Sequence, residues 1–334
     1  MRLLVKSSLV LAASVAALLA QTPPATILEC EMTNYVNYYD DVTDPLKMGT
    51  SPGVTPLVQG FNSTFKTMIG LGDITSINGK PVSGTWLFRA LVLNLSRAPA
   101  PGRPIADVGR VAAYDMVADI FQANGTPVGA IMAAGLGGGA APPGAPAAAL
   151  ASNLGVTSGT GAFLGARGQV AVMGASTTRS ASVAEDPANR RLNGGGTLRM
   201  IVHLIPTTWP EVMTLPTGPA VYHAQDWSPV TVAKPAKAGE WLITSVSGLG
   251  PTKPSLDPGK PFPAYGEPLC LVNSLVEATV NGKPTQTFNA VGWPETVGIY
   301  RVDFLVPAEI TPGTATVAIS AAWIKGPEVK IPVQ

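Results

Sequence analysis

The chain of 334 residues has few of the side chains on which catalysis, metal binding and disulfide-dense folds depend. It contains two histidines and two cysteines, and only 13% of its residues are charged, against roughly 25% in a typical soluble domain. Two histidines without an HExxH motif argue against a zinc protease. Two cysteines are too few for a four-cysteine zinc site or a disulfide-dense scaffold. We therefore assign no catalytic residue, and we expect no cofactor and no metal.

The amino terminus has the pattern of a secretory signal peptide. Arg2 and Lys6 precede an uncharged run from Ser7 to Ala20, which is shorter than the roughly 20 apolar residues of a membrane span. We predict a signal peptide at 1–20 and a mature chain that is secreted, periplasmic or on the cell surface, with no membrane span. Removing the two cations leaves 20 positive and 21 negative residues. A net charge of −1 gives no attraction for nucleic acid.

Cys30 and Cys270 leave two alternatives open. In an oxidising compartment they form one bridge across 240 residues, which would stabilise the fold by roughly 5 kcal/mol in the chain-entropy model. In the other alternative, each is a buried thiol that packs like a small hydrophobic side chain. The sequence does not give the distance between the two residues and does not decide between the alternatives.

Glycine and proline are abundant, which favours turn-rich β structure over long helices. The chain has 36 glycines and 32 prolines. In 196–205, Leu198, Met200, Val202 and Leu204 fall on one face, the alternation of a half-buried strand. The first region thus predicts a β-barrel or β-sandwich. Its strands are predicted at 27–39, 60–68, 84–95, 111–121, 128–134, 168–173 and 196–205.

The composition changes around 206–220, where four prolines occur. We predict a linker at 214–219 and a second domain at 220–334. About seven short strands in such a length are typical of an immunoglobulin-like sandwich. They are predicted at 231–233, 239–248, 269–271, 275–281, 285–291, 298–306 and 314–322.

Several motifs occur in order within this second region. They include Ala220-Val221-Tyr222-His223, Val280-Asn281-Gly282-Lys283-Pro284 and Gly298-Ile299-Tyr300-Arg301-Val302-Asp303. In this order they resemble a C-terminal module of secreted acidobacterial proteins, which is similar to the IPT/TIG class of immunoglobulin-like folds. The resemblance covers 220–334 and implies a sandwich without an assigned activity.

Two segments of the first region carry a different resemblance. The run Ala140-Ala141-Pro142-Pro143-Gly144-Ala145-Pro146 is followed by a glycine-rich stretch at 159–169, which contains Phe163. Together they resemble bacterial relatives of dirigent proteins and allene oxide cyclases. That resemblance implies a dirigent-like, eight-stranded antiparallel barrel over 21–213. It also implies a central cavity in which small molecules are coupled or cyclised.

If the barrel has a ligand site, side chains on its strands are the candidates to line it. Inward-facing arginines would need an anionic partner to offset their desolvation, whereas the aromatic residues have core packing as the alternative role. In 196–205 the apolar face either lines the lumen or turns outward, and only in the second case do Arg199 and His203 face inward. The candidate ligand-binding residues are Trp86, Phe88, Arg89, Tyr114, Arg199 and His203.

Two functional hypotheses follow. The first is a secreted or cell-surface protein that binds without catalysis, with a surface protein or a glycan as partner. The second is a dirigent-like or cyclase-like protein with a small apolar or anionic ligand in the lumen. A pocket lined by an acid, an arginine and aromatic residues would favour the second hypothesis, and a lumen filled by side chains would favour the first.

Overall fold

A computed structural model describes residues 26–39, 67–93, 111–137, 150–175, 178–265 and 267–334. The predicted signal peptide, residues 60–66 of the second predicted strand, and the proline-rich motif at 140–146 lie outside these ranges. The regular structure of the described residues is almost entirely β, which confirms the all-β prediction.

The first half of the described chain has nine strands, a 3-10 turn and one short helix. The strands are β1 (Thr26–Tyr39), β2 (Thr67–Ile77), β3 (Lys80–Leu93), β4 (Val111–Gln122), β5 (Pro127–Gly137), β6 (Leu150–Gly159), β7 (Arg167–Ala175), β8 (Arg179–Ser182) and β9 (Gly196–Ile205). The 3-10 turn covers Gly161–Phe163, and the helix α1 covers Asn189–Leu192.

Eight of these strands close into an antiparallel barrel. Strands β1 to β7 pair in chain order, and β9 pairs with both β7 and β1, so the cylinder has no free edge. Strand β8 is the exception, because it pairs in parallel with the last residues of β1. Closure of this kind removes the unpaired edges through which sheets aggregate.

Alternating side chains fill the barrel interior. In β9, Leu198, Met200, Val202 and Leu204 are at most 5% exposed and belong to one continuous core. Complete burial of such a side chain contributes roughly 1.5–3 kcal/mol. The apolar face of this strand therefore turns inward, and its polar face turns outward.

Gly70 in β2 makes room for an aromatic ring in the core. A Cβ atom at this position would lie 1.9 Å from Cε1 of Phe88. Phe88, on the neighbouring strand β3, pairs directly with Gly70 in the antiparallel register. Any larger residue at position 70 would displace the ring, so the absent side chain is part of the packing.

A polar cluster attaches the segment after β8 to the outside of the barrel. Arg191 donates to both oxygens of Asp73, from Nη2 at 2.7 Å and from Nε at 2.8 Å. Asn34 donates from Nδ2 to Oδ2 of Asp73 at 3.0 Å, and Arg190 also pairs with this carboxylate. Burial alone would raise the pKa of Asp73, but these hydrogen bonds outweigh it and lower the pKa to about 2.

The second half of the described chain consists of fourteen strands. They are β10 (Glu211–Val212), β11 (Thr214–Leu215), β12 (Gly218–Pro219), β13 (Val221–His223), β14 (Trp241–Ser247), β15 (Thr252–Lys253), β16 (Leu271–Val272), β17 (Val276–Val280), β18 (Lys283–Thr285), β19 (Thr287–Gly292), β20 (Ile299–Leu305), β21 (Gly313–Ala321), β22 (Ile324–Lys325) and β23 (Val329–Val333).

Two sheets form a sandwich in this half. One contains β10, β13, β14, β20, β19, β16 and β15, and the other contains β17, β18, β21, β22 and β23. Leu242 and Phe304 from the first sheet and Val317 from the second belong to a single core. The predicted order, a barrel followed by a sandwich, is therefore confirmed.

The barrel core extends into the second half of the chain. Ala322, in the turn after β21, and Ile324, the first residue of β22, are buried in the barrel core, and Trp323 packs against it. Lys80 in the barrel pairs with Glu277 on β17. The apolar contacts couple the two halves more strongly than this half-exposed ion pair, because exposed pairs contribute little.

The strands differ from the predictions at several places: residues 231–233, predicted as a strand, form none, and β8, β13 and β23 were not predicted. Residues 67–68 of the second predicted strand lie in β2, which extends to Ile77. The extension was missed because Gly70 and Gly72 occupy inward positions and hide the apolar alternation. Strand β6 was not predicted, because among residues 154–159 only Leu154 and Val156 are both large and buried.

The predicted linker at 214–219 contains the β11–β12 hairpin, and Glu211–Val212 before it already pairs with β14. The division of the chain into domains stays a prediction. Among the described residues, no helix has the length and hydropathy required to cross a membrane.

Candidate functional site

Aromatic rings form a cluster inside the barrel. The ring centroid of Trp86 lies 5.5 Å from that of Tyr35 and 4.8 Å from that of Phe88. Tyr114 extends the cluster, with its centroid 5.6 Å from that of Phe88. Trp86 and Phe88 are buried and Tyr114 is half-buried, so these three predicted residues face the interior.

Two polar groups accompany these rings. The hydroxyl of Tyr35 donates to Oδ1 of Asn37 at 2.6 Å. Burial, with smaller contributions from Tyr39 and Tyr114, raises the pKa of Tyr35, so its hydroxyl remains a neutral donor. Nε1 of Trp86 is buried and has no hydrogen-bond partner in the described part of the chain.

The three basic candidates lie on the outside of the barrel. Arg89 pairs with Asp115 at 2.6 Å, and the two side chains are 64% and 63% exposed. Arg199 pairs with Glu29, also with about half of each side chain exposed. His203 shares the outward face of β9 with Arg199. The lumen therefore receives neither arginine, and the inward alternative for Arg199 and His203 is wrong.

The rest of the described interior is apolar. Side chains from five different strands reach the centre of the barrel and are at most 2% exposed. Such close packing resembles a protein core rather than a ligand cavity. The largest of these side chains are Leu28, Met32, Ile74, Met116, Ile131 and Met200.

A second candidate site lies on the outer face of the first sandwich sheet. In β20, Val302 and Phe304 point into the sandwich core, so Arg301, Asp303 and Leu305 point outward. Strand β14 pairs with β20 residue by residue and alternates in the same way. We call the outward side chains of β13, β14, β19 and β20, together with Trp227 and Trp293, the outer aromatic face.

One end of the outer aromatic face is a group of three rings and a cation. The ring of Trp227 meets that of Trp293 edge to face, with a centroid distance of 5.9 Å, and Trp293 lies 6.5 Å from Tyr222. The guanidinium carbon of Arg301 lies 5.0 Å from the centroid of Trp227. Trp227 is nevertheless 50% exposed, so part of this ring is open to a binding partner.

A buried carboxylate occupies the centre of the face. Arg301 donates to Asp303 from Nε and from Nη2, both at 2.7 Å, in a bidentate pair. Asn289 donates to the same carboxylate from Nδ2 at 2.6 Å. Three hydrogen bonds therefore fix these polar groups before any partner arrives.

A β-bulge forms the other end of the face. The register of β19 against β20 shifts between Thr287 and Ala290, which places both Phe288 and Asn289 on the outward side. The ring of Phe288 lies 6.1 Å from that of Trp241 and is 78% exposed. The bulge thus presents a large apolar side chain to solvent.

Three further reactive side chains, those of His223 and the two cysteines, are buried. His223 is buried, with Nδ1 at 2.6 Å from Oε1 of Glu240 and Nε2 at 3.2 Å from the carbonyl oxygen of Lys234, which leaves neither nitrogen free as a base. Cys30 is buried in the barrel core and Cys270 in the sandwich core, both as free thiols. The described residues contain no group of three metal-ligating side chains.

No protein-family model, curated protein or solved structure matches the chain. The dirigent-like and IPT/TIG-like resemblances therefore stay hypotheses about ancestry. The geometry of the two candidate sites is the remaining guide to function.

Sequence reasoning missed the outer aromatic face. Trp227 lies more than 60 residues before Phe288 and Trp293 in the sequence, and no short motif joins the three. The sequence signal that could have indicated this face is the presence of aromatic residues near predicted turns, because tryptophan and phenylalanine are unusual at exposed positions.

Proposed function

We propose that this is a non-enzymatic binding protein of the cell exterior, in which the barrel is a scaffold and the outer aromatic face is the binding surface. The observation that carries the proposal is the exposure of Trp227 and Phe288 on one sheet face around a fixed Arg301–Asp303 pair. Exposed aromatic side chains beside an arginine are the composition of binding hot spots.

The barrel interior supports the scaffold role. Its arginines pair with carboxylates on the outside, and its largest core side chains are almost completely buried. A charged or oxygenated substrate would therefore find no ionic anchor among the described lumen residues. The lumen packing stabilises the fold instead.

Hydroxyl-radical footprinting of the full chain tests this proposal, with insoluble envelope material from the producing cells as the partner. We expect oxidation of Trp227 and Trp293 to fall when envelope material is present. Trp209, which is 46% exposed and lies outside the face, is the internal control and should stay equally reactive. Unchanged oxidation of Trp227 and Trp293 would refute the proposal.

A second candidate function is the binding of a small apolar or anionic molecule in the lumen. The unpaired, buried Nε1 of Trp86 favours it, because a ligand oxygen would satisfy this donor. The test uses 1-anilinonaphthalene-8-sulfonate with the full chain and with Trp86→Phe. Binding that saturates at one site and is lost in the variant supports the lumen site; no saturable binding rejects it for this probe class.

A further inference from the structure

We infer that the outer aromatic face binds an extended, uncharged polysaccharide chain; the inference rests on the proposed function. The face combines exposed ring surfaces with hydrogen-bonding groups that are already fixed. The exposed rings match the C–H surface of a sugar, and the fixed polar groups match its hydroxyl groups.

The rings suit the apolar surface of a sugar. The π-face of an aromatic ring carries negative charge density and attracts polarised C–H groups. Trp227 and Trp293 meet at 78°, so they form a corner in which one ring can stack on a sugar and the other can contact its edge. A flat aromatic ligand would match only one of these two rings.

The polar centre suits hydroxyl groups. A sugar hydroxyl can accept from the guanidinium of Arg301, whose side chain is 28% exposed, while the buried Asp303 holds that guanidinium in place. The bidentate pair and the bond from Asn289 hold these groups in place. Little side-chain entropy is therefore lost when a ligand binds.

The charges of the face favour an uncharged ligand. Arg301 pairs with Asp303, and Asp226, which precedes Trp227 in the sequence, pairs with Lys234. Glu295, in the turn after β19, is exposed and adds a negative charge near the rim. An anionic polysaccharide would meet this negative charge, and among the described side chains of the face no unpaired cation would offset it.

The length of the face favours a chain rather than a single sugar. Arg301 lies beside Trp227, and Leu305, four residues further along β20, pairs with Trp241. At roughly 3.3 Å per residue the two aromatic ends are about 13 Å apart. One sugar contacts one end, whereas an oligosaccharide reaches both ends.

The same centre argues against a protein partner. The cores of protein–protein interfaces are enriched in arginine and aromatic residues but depleted of aspartate and glutamate. Here the Arg301–Asp303 pair stands between the two aromatic ends, where such a core would lie. A hydroxylated ligand can accept a hydrogen bond from the partly exposed Arg301, whereas an apolar protein surface would cover this donor without bonding to it.

The test measures binding of the full chain to uncharged hexasaccharides of β-1,4-glucose, β-1,3-glucose, β-1,4-mannose and β-1,4-N-acetylglucosamine by titration calorimetry. We expect at least one of these hexasaccharides to bind, and to bind more tightly than the disaccharide with the same sugar and linkage. Trp227→Ala and Trp293→Ala should each weaken it by about tenfold or more, as expected for hot-spot residues. Trp227→Phe keeps a ring and should lose less, while the control Trp209→Ala should bind normally.

Three results would overturn the inference: no binding of any hexamer, binding unchanged by both tryptophan variants, or tighter binding of oligogalacturonate. Circular dichroism shows whether each variant is folded. If Trp227→Ala does not fold, the affinity of Trp227→Phe is compared with that of the native chain instead. Footprinting with envelope material distinguishes a failure of this inference from a failure of the proposed function. Protection of Trp227 that survives periodate oxidation of the envelope but not its proteolysis would indicate a protein partner and leave the proposed function standing.

Discussion

Replacing Asp73 by asparagine should remove the ionic attachment of the segment after β8 to the barrel. In the native protein this carboxylate accepts hydrogen bonds from Arg190, Arg191 and Asn34, and its side chain is 14% exposed. Asparagine keeps the size of the side chain and removes its charge. The substitution therefore tests the electrostatic contribution with little change in packing.

The pKa of Asp73 gives the expected magnitude. Its value falls from the ordinary 3.8 to about 2, and each unit corresponds to 1.36 kcal/mol, so the charged form contributes about 2 kcal/mol at neutral pH. Because the folded-state pKa is depressed, this stability is complete well above pH 4. It is lost as the pH falls through about 2.

Urea unfolding of the native chain and of Asp73→Asn between pH 7 and pH 2 measures this contribution. We expect a difference of about 2 kcal/mol at pH 7 that approaches zero near pH 2. Asp115→Asn is the matched control, and its exposed pair with Arg89 should contribute less than about 1 kcal/mol. A difference for Asp73→Asn that does not change with pH would refute the electrostatic explanation.

Three further outcomes are expected. Phe88→Ala should lower the free energy of unfolding by about 3–5 kcal/mol through a core cavity, whereas Arg89→Ala next to it should cost less than about 1 kcal/mol, both by urea unfolding. Cys30 and Cys270 should react with a thiol reagent only after unfolding, because both are buried and burial raises the pKa of Cys30 to about 12. A chain that has no reactive thiols in denaturant would contradict this expectation. Trp323→Ala should accelerate proteolytic cleavage at 206–210, since this ring packs against the barrel core; an unchanged rate would show that the contact does not couple the two halves.

Alternation along single strands was sufficient to predict much of the barrel. In β9 the sequence pattern and the observed burial agree at every second residue. The same rule, applied to β3, would have separated Arg89 from Trp86 and Phe88, because neighbours along a strand face opposite sides. The candidate lumen set combined residues from both faces, so it could not have been inward-facing as a whole.

Other features depend on contacts that no local pattern contains. Gly70 disrupts the apolar alternation of β2, yet its role is set by Phe88 on another strand. Likewise, Trp227 and Trp293 meet only after the sandwich brings two turns together. Such sites depend on which distant segments pair in the fold, and composition and periodicity do not determine that pairing.

The most direct test of the binding account is co-sedimentation of the full chain with insoluble envelope material. The native chain and Trp209→Ala should appear in the pellet, because Trp209 lies outside the outer aromatic face. The double variant Trp227→Ala, Trp293→Ala should stay in the supernatant while keeping the native circular dichroism spectrum. If the folded double variant sediments as fully as the native chain, the outer aromatic face is not the binding surface.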